Sequence, residues 1–111
     1  MQIVISHAYT WDDPHTQAYI ELSESFNGWL EACDGFVSRS LVADFADRTH
    51  LINLRVWQSI SHYEAIINEP EYRSHIAGLS EHVDPSRYNG SDVRSYGDIV
   101  VTTEDAWRIS S

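Results

Sequence analysis

Asn53 and Trp57 stand four residues apart in the segment Leu51-Ile52-Asn53-Leu54-Arg55-Val56-Trp57-Gln58-Ser59. If this segment is extended, alternation with period two sends both side chains to one face, about 13 Å apart along the strand. An amide inside a protein can donate and accept hydrogen bonds at once. An indole is a flat apolar wall with a single N–H donor. The two together suit a planar, oxygenated aromatic guest. The plainer alternative is a surface asparagine beside a core tryptophan, and the pair alone does not choose between them. Other chemistries lack their residues. The chain has no closely spaced His/Cys cluster, no His-Glu-x-x-His and no glycine-rich phosphate loop. His75 and His82 would lie two helical turns apart, about 10.5 Å by rise, too far to share one metal ion easily. No metal, nucleotide or other cofactor is therefore expected. His15, His50, His62 and His82 read as solvated, and Cys33 reads as a buried helix thiol.

The elements that must carry these side chains follow from periodicity. Gln2 to Tyr9 alternates as a strand, with Ile3, Ile5, His7 and Tyr9 on one face and Val4, Ser6 and Ala8 on the other. Asp12-Asp13-Pro14 is a helix start. Tyr19, Leu22, Phe26, Trp29, Leu30 and Cys33 then recur at helical spacing until Asp34-Gly35 ends the helix. Phe36 to Phe45 and Thr49 to Gln58 read as two strands joined by a short turn at Asp47-Arg48, an antiparallel hairpin. In the first, Val37, Leu41, Ala43 and Phe45 form the apolar face. In the second, Ile52, Leu54 and Val56 oppose Leu51, Asn53, Arg55 and Trp57. Ser59 caps a helical region that Pro70 interrupts, and a fresh helix runs from Pro70 to about Val83. Asp92 to Thr102 is the last strand, centred on Ile99, Val100 and Val101. One domain over residues 1–102 is expected, with a tail over 103–111 in which Trp107 docks on something.

The order strand, helix, strand, strand, helix, strand is the ferredoxin-like βαββαβ arrangement, an α+β fold with an antiparallel sheet. Helices cover one face of such a sheet. The face with Ile52, Leu54 and Val56 then needs another cover, and the sheet of a second copy would close a dimeric α/β barrel.

Composition narrows the function classes. In 111 residues there are seven arginines, no lysine and 17 acidic residues, a net charge of −10. That balance disfavours nucleic acid, which needs cations against phosphates, and anionic membrane surfaces. One cysteine excludes an internal disulfide, and the first residues resemble a strand more than a signal peptide, so a reducing cytoplasm is the expected location.

The βαββαβ order, Gly35-Phe36 ahead of the second strand, and Val56-Trp57-Gln58-Ser59 ahead of Tyr63 resemble the antibiotic biosynthesis monooxygenase family of dimeric α/β barrels. The resemblance covers residues 2 to 101. The fuller pattern Asn53-x-x-x-Trp57-x-Ser59, followed by Tyr63, is similar to the cofactor-free anthrone monooxygenases of aromatic polyketide pathways. It implies an enzyme that oxidises an anthrone-like aromatic polyketide to a quinone with dioxygen, as a homodimer. Asn53 and Trp57 would be catalytic, and Tyr63 would line the pocket. The actinorhodin-type enzymes have an arginine on the last helix where this chain has Ile76. His75 beside it is the candidate replacement, with Arg73 close by as a further substrate-binding candidate. Polyketide cyclases of the same superfamily use strand and helix histidines with a tyrosine. That makes His7, Tyr72 and His75 the trio for an alternative cyclase or aldol-type enzyme, and leaves open which sheet face His7 occupies. Two further alternatives are a haem-degrading monooxygenase and a non-catalytic dimeric binding protein. The haem-degrading pattern fits poorly, because His7, Ile66 and Ile76 stand at its key places.

Overall fold

The computed structural model describes residues 1–95. The elements are β1 (Gln2–Tyr9), α1 (Asp13–Glu31), β2 (Phe36–Ala43), β3 (His50–Trp57), α2 (Ile60–Ile67), α3 (Pro70–Ser80) and β4 (Gly90–Ser95). The strands form one antiparallel sheet in the order β2-β3-β1-β4, the ferredoxin-like arrangement expected from the sequence. Ile99, Val100, Val101 and Trp107 lie outside the described residues.

Local chemistry sets the boundaries. The Asp12 carboxylate accepts from the His15 N–H at 3.1 Å, with Pro14 in the first turn of α1. The Ser59 hydroxyl accepts from the His62 N–H at 3.3 Å and starts α2. Glu69 is extended (φ −72°, ψ 136°), as the residue before Pro70 must be, so α2 and α3 are separate helices. Gly35 turns the chain from α1 into β2 at φ +83°.

Register assigns the faces. Pairing of Val4 with Arg55, Ser6 with Asn53 and Ala8 with Leu51 puts these residues on the helix-covered side. His7 pairs with Ile52 and Tyr9 with His50, which puts them on the other side with Ile3 and Ile5. The core lies under the helices, where Phe26, Leu30, Leu51 and Trp57 are almost wholly enclosed.

The second strand departs from its expected pattern. A bulge between Phe36 and Ser38 inserts Val37 as an extra residue, and Val37 stands exposed. Leu41 therefore shares the helix-covered side with Arg39, not with Val37. β2 also stops at Ala43. Asp44 begins a turn by accepting from the Ala46 N–H at 2.8 Å, which leaves Phe45 fully exposed at the hairpin tip.

Candidate active site

β3 turns Leu51, Asn53, Arg55 and Trp57 toward the helices, and all four are buried. Above them α1 presents Tyr19, Ser23 and Asn27, a row at spacing four and so on one side of the helix. Two polar rows thus meet inside the core. Asn53 Nδ2 donates to the Tyr19 hydroxyl oxygen at 3.0 Å. Asn53 Oδ1 accepts from Ser23 Oγ and from Arg55 Nη2, each at 3.4 Å. Arg55 Nε donates to Asn27 Oδ1 at 3.1 Å, and the guanidinium lies 4.8 Å from the centre of the Phe26 ring. These bonds define which end of the Asn53 amide is which.

Arg55 is the unusual member. Its hydrogen bonds go to two neutral amide oxygens, and no carboxylate among the described residues pairs with it. An unpaired buried ion costs several kcal/mol even after relaxation. Desolvation lowers its pKa, and the groups that oppose the shift are the hydroxyls of Tyr19, Tyr72 and Tyr63. Burial in turn raises all three tyrosines, against the pull of Arg55, so they are neutral hydrogen-bond donors at physiological pH and not bases. Arg55 Nη1 and Trp57 Nε1 make no hydrogen bond with any described residue. Ser38 Oγ is the only fully enclosed side-chain nitrogen or oxygen without a partner among those residues. Arg55 keeps 8 % of its surface exposed, whereas Trp57, at 1 %, is packed on all sides. Tyr19 accepts in its bond to Asn53, which leaves its hydroxyl hydrogen unspent.

Trp57 meets Phe36 edge-on at 5.1 Å and the Tyr63 ring at 6.2 Å. Tyr72 contacts Phe26 at 5.3 Å. His75 stacks on Phe26 at 4.9 Å and lies 5.7 Å from Trp29, in the seam between α1 and α3, through ring contacts and not hydrogen bonds. Arg73 is exposed on α3. The roof is incomplete toward the edge strand. Val93, on the helix-facing side of β4, is 45 % exposed, which leaves a flank open beside β1.

Asn53, Trp57, Tyr63 and Tyr72 thus share the space between sheet and helices, and His75 is at its border. His7 does not join them. It lies on the sheet face opposite the helices, where its Nδ1 meets His50 Nε2 at 2.9 Å, and His50 Nδ1 meets the Asp44 carboxylate at 3.0 Å. The trio His7, Tyr72 and His75 is therefore not assembled within one chain. The four histidines expected in solvent are also engaged. His50 is buried, His15 and His82 share a 2.9 Å contact, and His62 meets Ser59 Oγ at 2.7 Å. Cys33 lies just beyond α1, half-buried, with desolvation and then Glu71 and Glu69 raising its pKa. A separate open groove of about 540 Å³ is lined by Trp11, Glu81, Val83, Pro85, Arg87 and their neighbours. None of the candidate residues is in it. No three His, Cys, Asp or Glu side chains among the described residues converge as metal ligands.

Ser23, Asn27 and Arg55 are the members that a search for apolar stripes passes over, and Tyr19 counts in such a search only as an apolar position. The legible signal is their spacing, polar residues at i, i+4 and i+8 along α1 and at alternate positions of β3, which marks a buried polar line when both elements are amphipathic.

No family model and no curated protein matches the sequence. Solved structures do match. A cofactor-independent oxygenase from Streptomyces nogalater, SnoaB, superposes with a TM-score of 0.75 at 11 % identity, over 89 % of this chain and 95 % of that one. A protein from Deinococcus radiodurans, provisionally named an antibiotic biosynthesis monooxygenase, gives 0.78 at 13 % identity, over 94 % and 100 %. Rv0793 from Mycobacterium tuberculosis gives 0.73 at 16 % identity, over 91 % and 100 %. The chain has the fold of the antibiotic biosynthesis monooxygenases.

Proposed function

We propose that this chain is a cofactor-independent monooxygenase that converts an anthrone-like aromatic polyketide to the quinone with dioxygen. One observation carries the reading. A core that needs only apolar packing instead encloses Asn53, Arg55 and Tyr19 beside Trp57, and each of these four residues keeps an N–H or O–H without a partner among the described residues, Asn53 through the second hydrogen of Nδ2. A preorganised set of donors in a dry interior is what a reaction through an anion requires. The fold shared with a cofactor-independent oxygenase supports the same reading.

The chemistry balances without a protein-held redox group. The methylene hydrogen of an anthrone is acidic because the resulting carbanion is delocalised onto the ring oxygens. The anion passes one electron to dioxygen, and the substrate radical and superoxide recombine into a peroxide with a new C–O bond. Loss of the second benzylic proton breaks the O–O bond and releases water, so one anthrone and one dioxygen give one quinone and one water. Asn53 and the neutral tyrosines Tyr63 and Tyr72 serve as hydrogen-bond donors to the developing charge, and Trp57 forms a wall for the flat ring. His75 is the group at the border suited to carry a proton. The enzyme acts as a homodimer in which the two sheet faces opposite the helices meet, in a reducing cytoplasm.

Oxygen uptake with 1,8-dihydroxyanthrone tests the reading. Asn53→Ala is expected to lower kcat about a hundredfold, the scale of losing one preorganised donor, while the thermal transition shows that the variant is folded. A folded variant with unchanged turnover removes Asn53 from the chemistry, and no uptake by the native protein with any anthrone removes the reaction.

A further inference from the structure

We propose that Arg55 is an anion-binding residue and that the ligand of this site carries an ionised hydroxyl, a phenolate or enolate oxygen on a flat ring. The inference rests on the oxygenase reading for the identity of the site, but not for the charge of its ligand. It follows from what Arg55 lacks. The guanidinium is enclosed under α1, spends Nε and Nη2 on the neutral oxygens of Asn27 and Asn53, and leaves Nη1 without a hydrogen bond to any described residue, while Arg55 keeps 8 % of its surface exposed. No acidic side chain among the described residues makes an ion pair with it. A cation so placed contributes little to folding that an apolar side chain of similar volume would not. An anionic oxygen at Nη1 would complete it with a short, charge-assisted hydrogen bond. The Tyr19 hydroxyl, held by Asn53 Nδ2 with its own hydrogen unspent, is a second donor in the same cluster.

Alizarin is a suitable probe. It is already a quinone, so its binding does not depend on oxygen chemistry, and its visible spectrum separates the yellow neutral form from the red anion. At a pH just below the first ionisation of the free dye, the native protein is expected to bind alizarin and shift it to the anion band. Arg55→Met is expected to fold, with a melting temperature equal to or above that of the native protein. Any dye that it binds should remain in the neutral form, with affinity for the anion lower by about tenfold or more, the loss of one hydrogen bond to a charge. Arg55→Lys keeps a cation and is expected to restore part of the shift, which keeps the test decisive if the Met variant fails to fold. The dimethyl ether of alizarin cannot ionise and is expected to bind native protein and Arg55→Met alike. Failure of the native protein to bind or shift the dye overturns the proposal. So does an undiminished shift in Arg55→Met, or, where that variant fails to fold, a complete loss of the shift in Arg55→Lys. A dye shift without anthrone oxidation would retain the anion site and remove the oxygenase, and oxidation unaffected by Arg55→Met would do the reverse.

Discussion

Among the described residues, the carboxyls whose pKa is lowered cluster at one end of the sheet. The Asp47 carboxylate accepts from the Thr49 hydroxyl and N–H and pairs with Arg87, and these contacts hold its pKa down at about 2. A carboxyl with a lowered pKa in the folded state stabilises that state fully above its unfolded value, and the contribution vanishes as pH falls through the folded value. Asp44, lowered by His50 and the Ala46 N–H, and Asp84, lowered by the Ser86 hydroxyl and N–H, act in the same direction. Thermal melts followed from pH about 5 down to about 2 are therefore expected to show a falling transition temperature. Asp47→Asn should start lower and fall less steeply over that interval. Parallel curves for variant and native protein would mean that Asp47 titrates no differently in the folded chain.

Among elements, the junction of α1 and β2 depends on Gly35. Its φ of +83° is left-handed, and a Cβ there would lie 2.2 Å from His62 Cγ on α2. The Gly35 carbonyl also accepts from the Gln58 N–H at 2.7 Å, which ties the turn to the end of β3, next to Trp57. Gly35→Ala is expected to destabilise by at least about 1–2 kcal/mol from the backbone conformation alone, and by more until the His62 ring moves. Urea denaturation should show a lower midpoint, and adding His62→Ala should recover the steric share but not the backbone share. A wild-type midpoint in Gly35→Ala would show that the turn can reorganise freely. The bulge at Val37 makes a related point about elements. It rotates the rest of β2 by one residue, so that Arg39 reaches Glu24 and Glu31 on α1.

For the whole molecule, the sheet face opposite the helices is the feature to test. Ile3, Ile5, Val42, Ile52 and Leu54 lie there half-buried, with no helix of the described residues above them. Pairing through this face would bury them, but each copy brings a net charge of −10. A homodimer formed through this face should accordingly weaken at low ionic strength, where the like charges are screened least. Sedimentation at two salt concentrations reads this directly. Leu54→Asp is expected to leave a folded monomer with unchanged far-ultraviolet circular dichroism. A dimer of native strength in that variant would place the interface elsewhere.

How much of this was legible in the amino-acid order depends on the range of the interaction. Strand β1, the starts of α1 and α2, and the break at Pro70 were readable because alternation, caps and proline act over a few neighbouring residues. The common face of Asn53 and Trp57 was readable for the same reason, since it needs only the pleat of one strand. The sheet side taken by His7 was not, because it follows from pairing with Ile52, 45 positions away. Nor was the conversion of Arg55, Ser23 and Asn27 from ordinary polar residues into a buried network. Each of them looks like surface until a helix and a strand close on one another. Sequence by itself therefore determined which elements form and which side chains of an unbroken strand share a face. Tertiary structure alone decided which polar groups lose their water together, because desolvation belongs to the assembled core and to no segment of the chain.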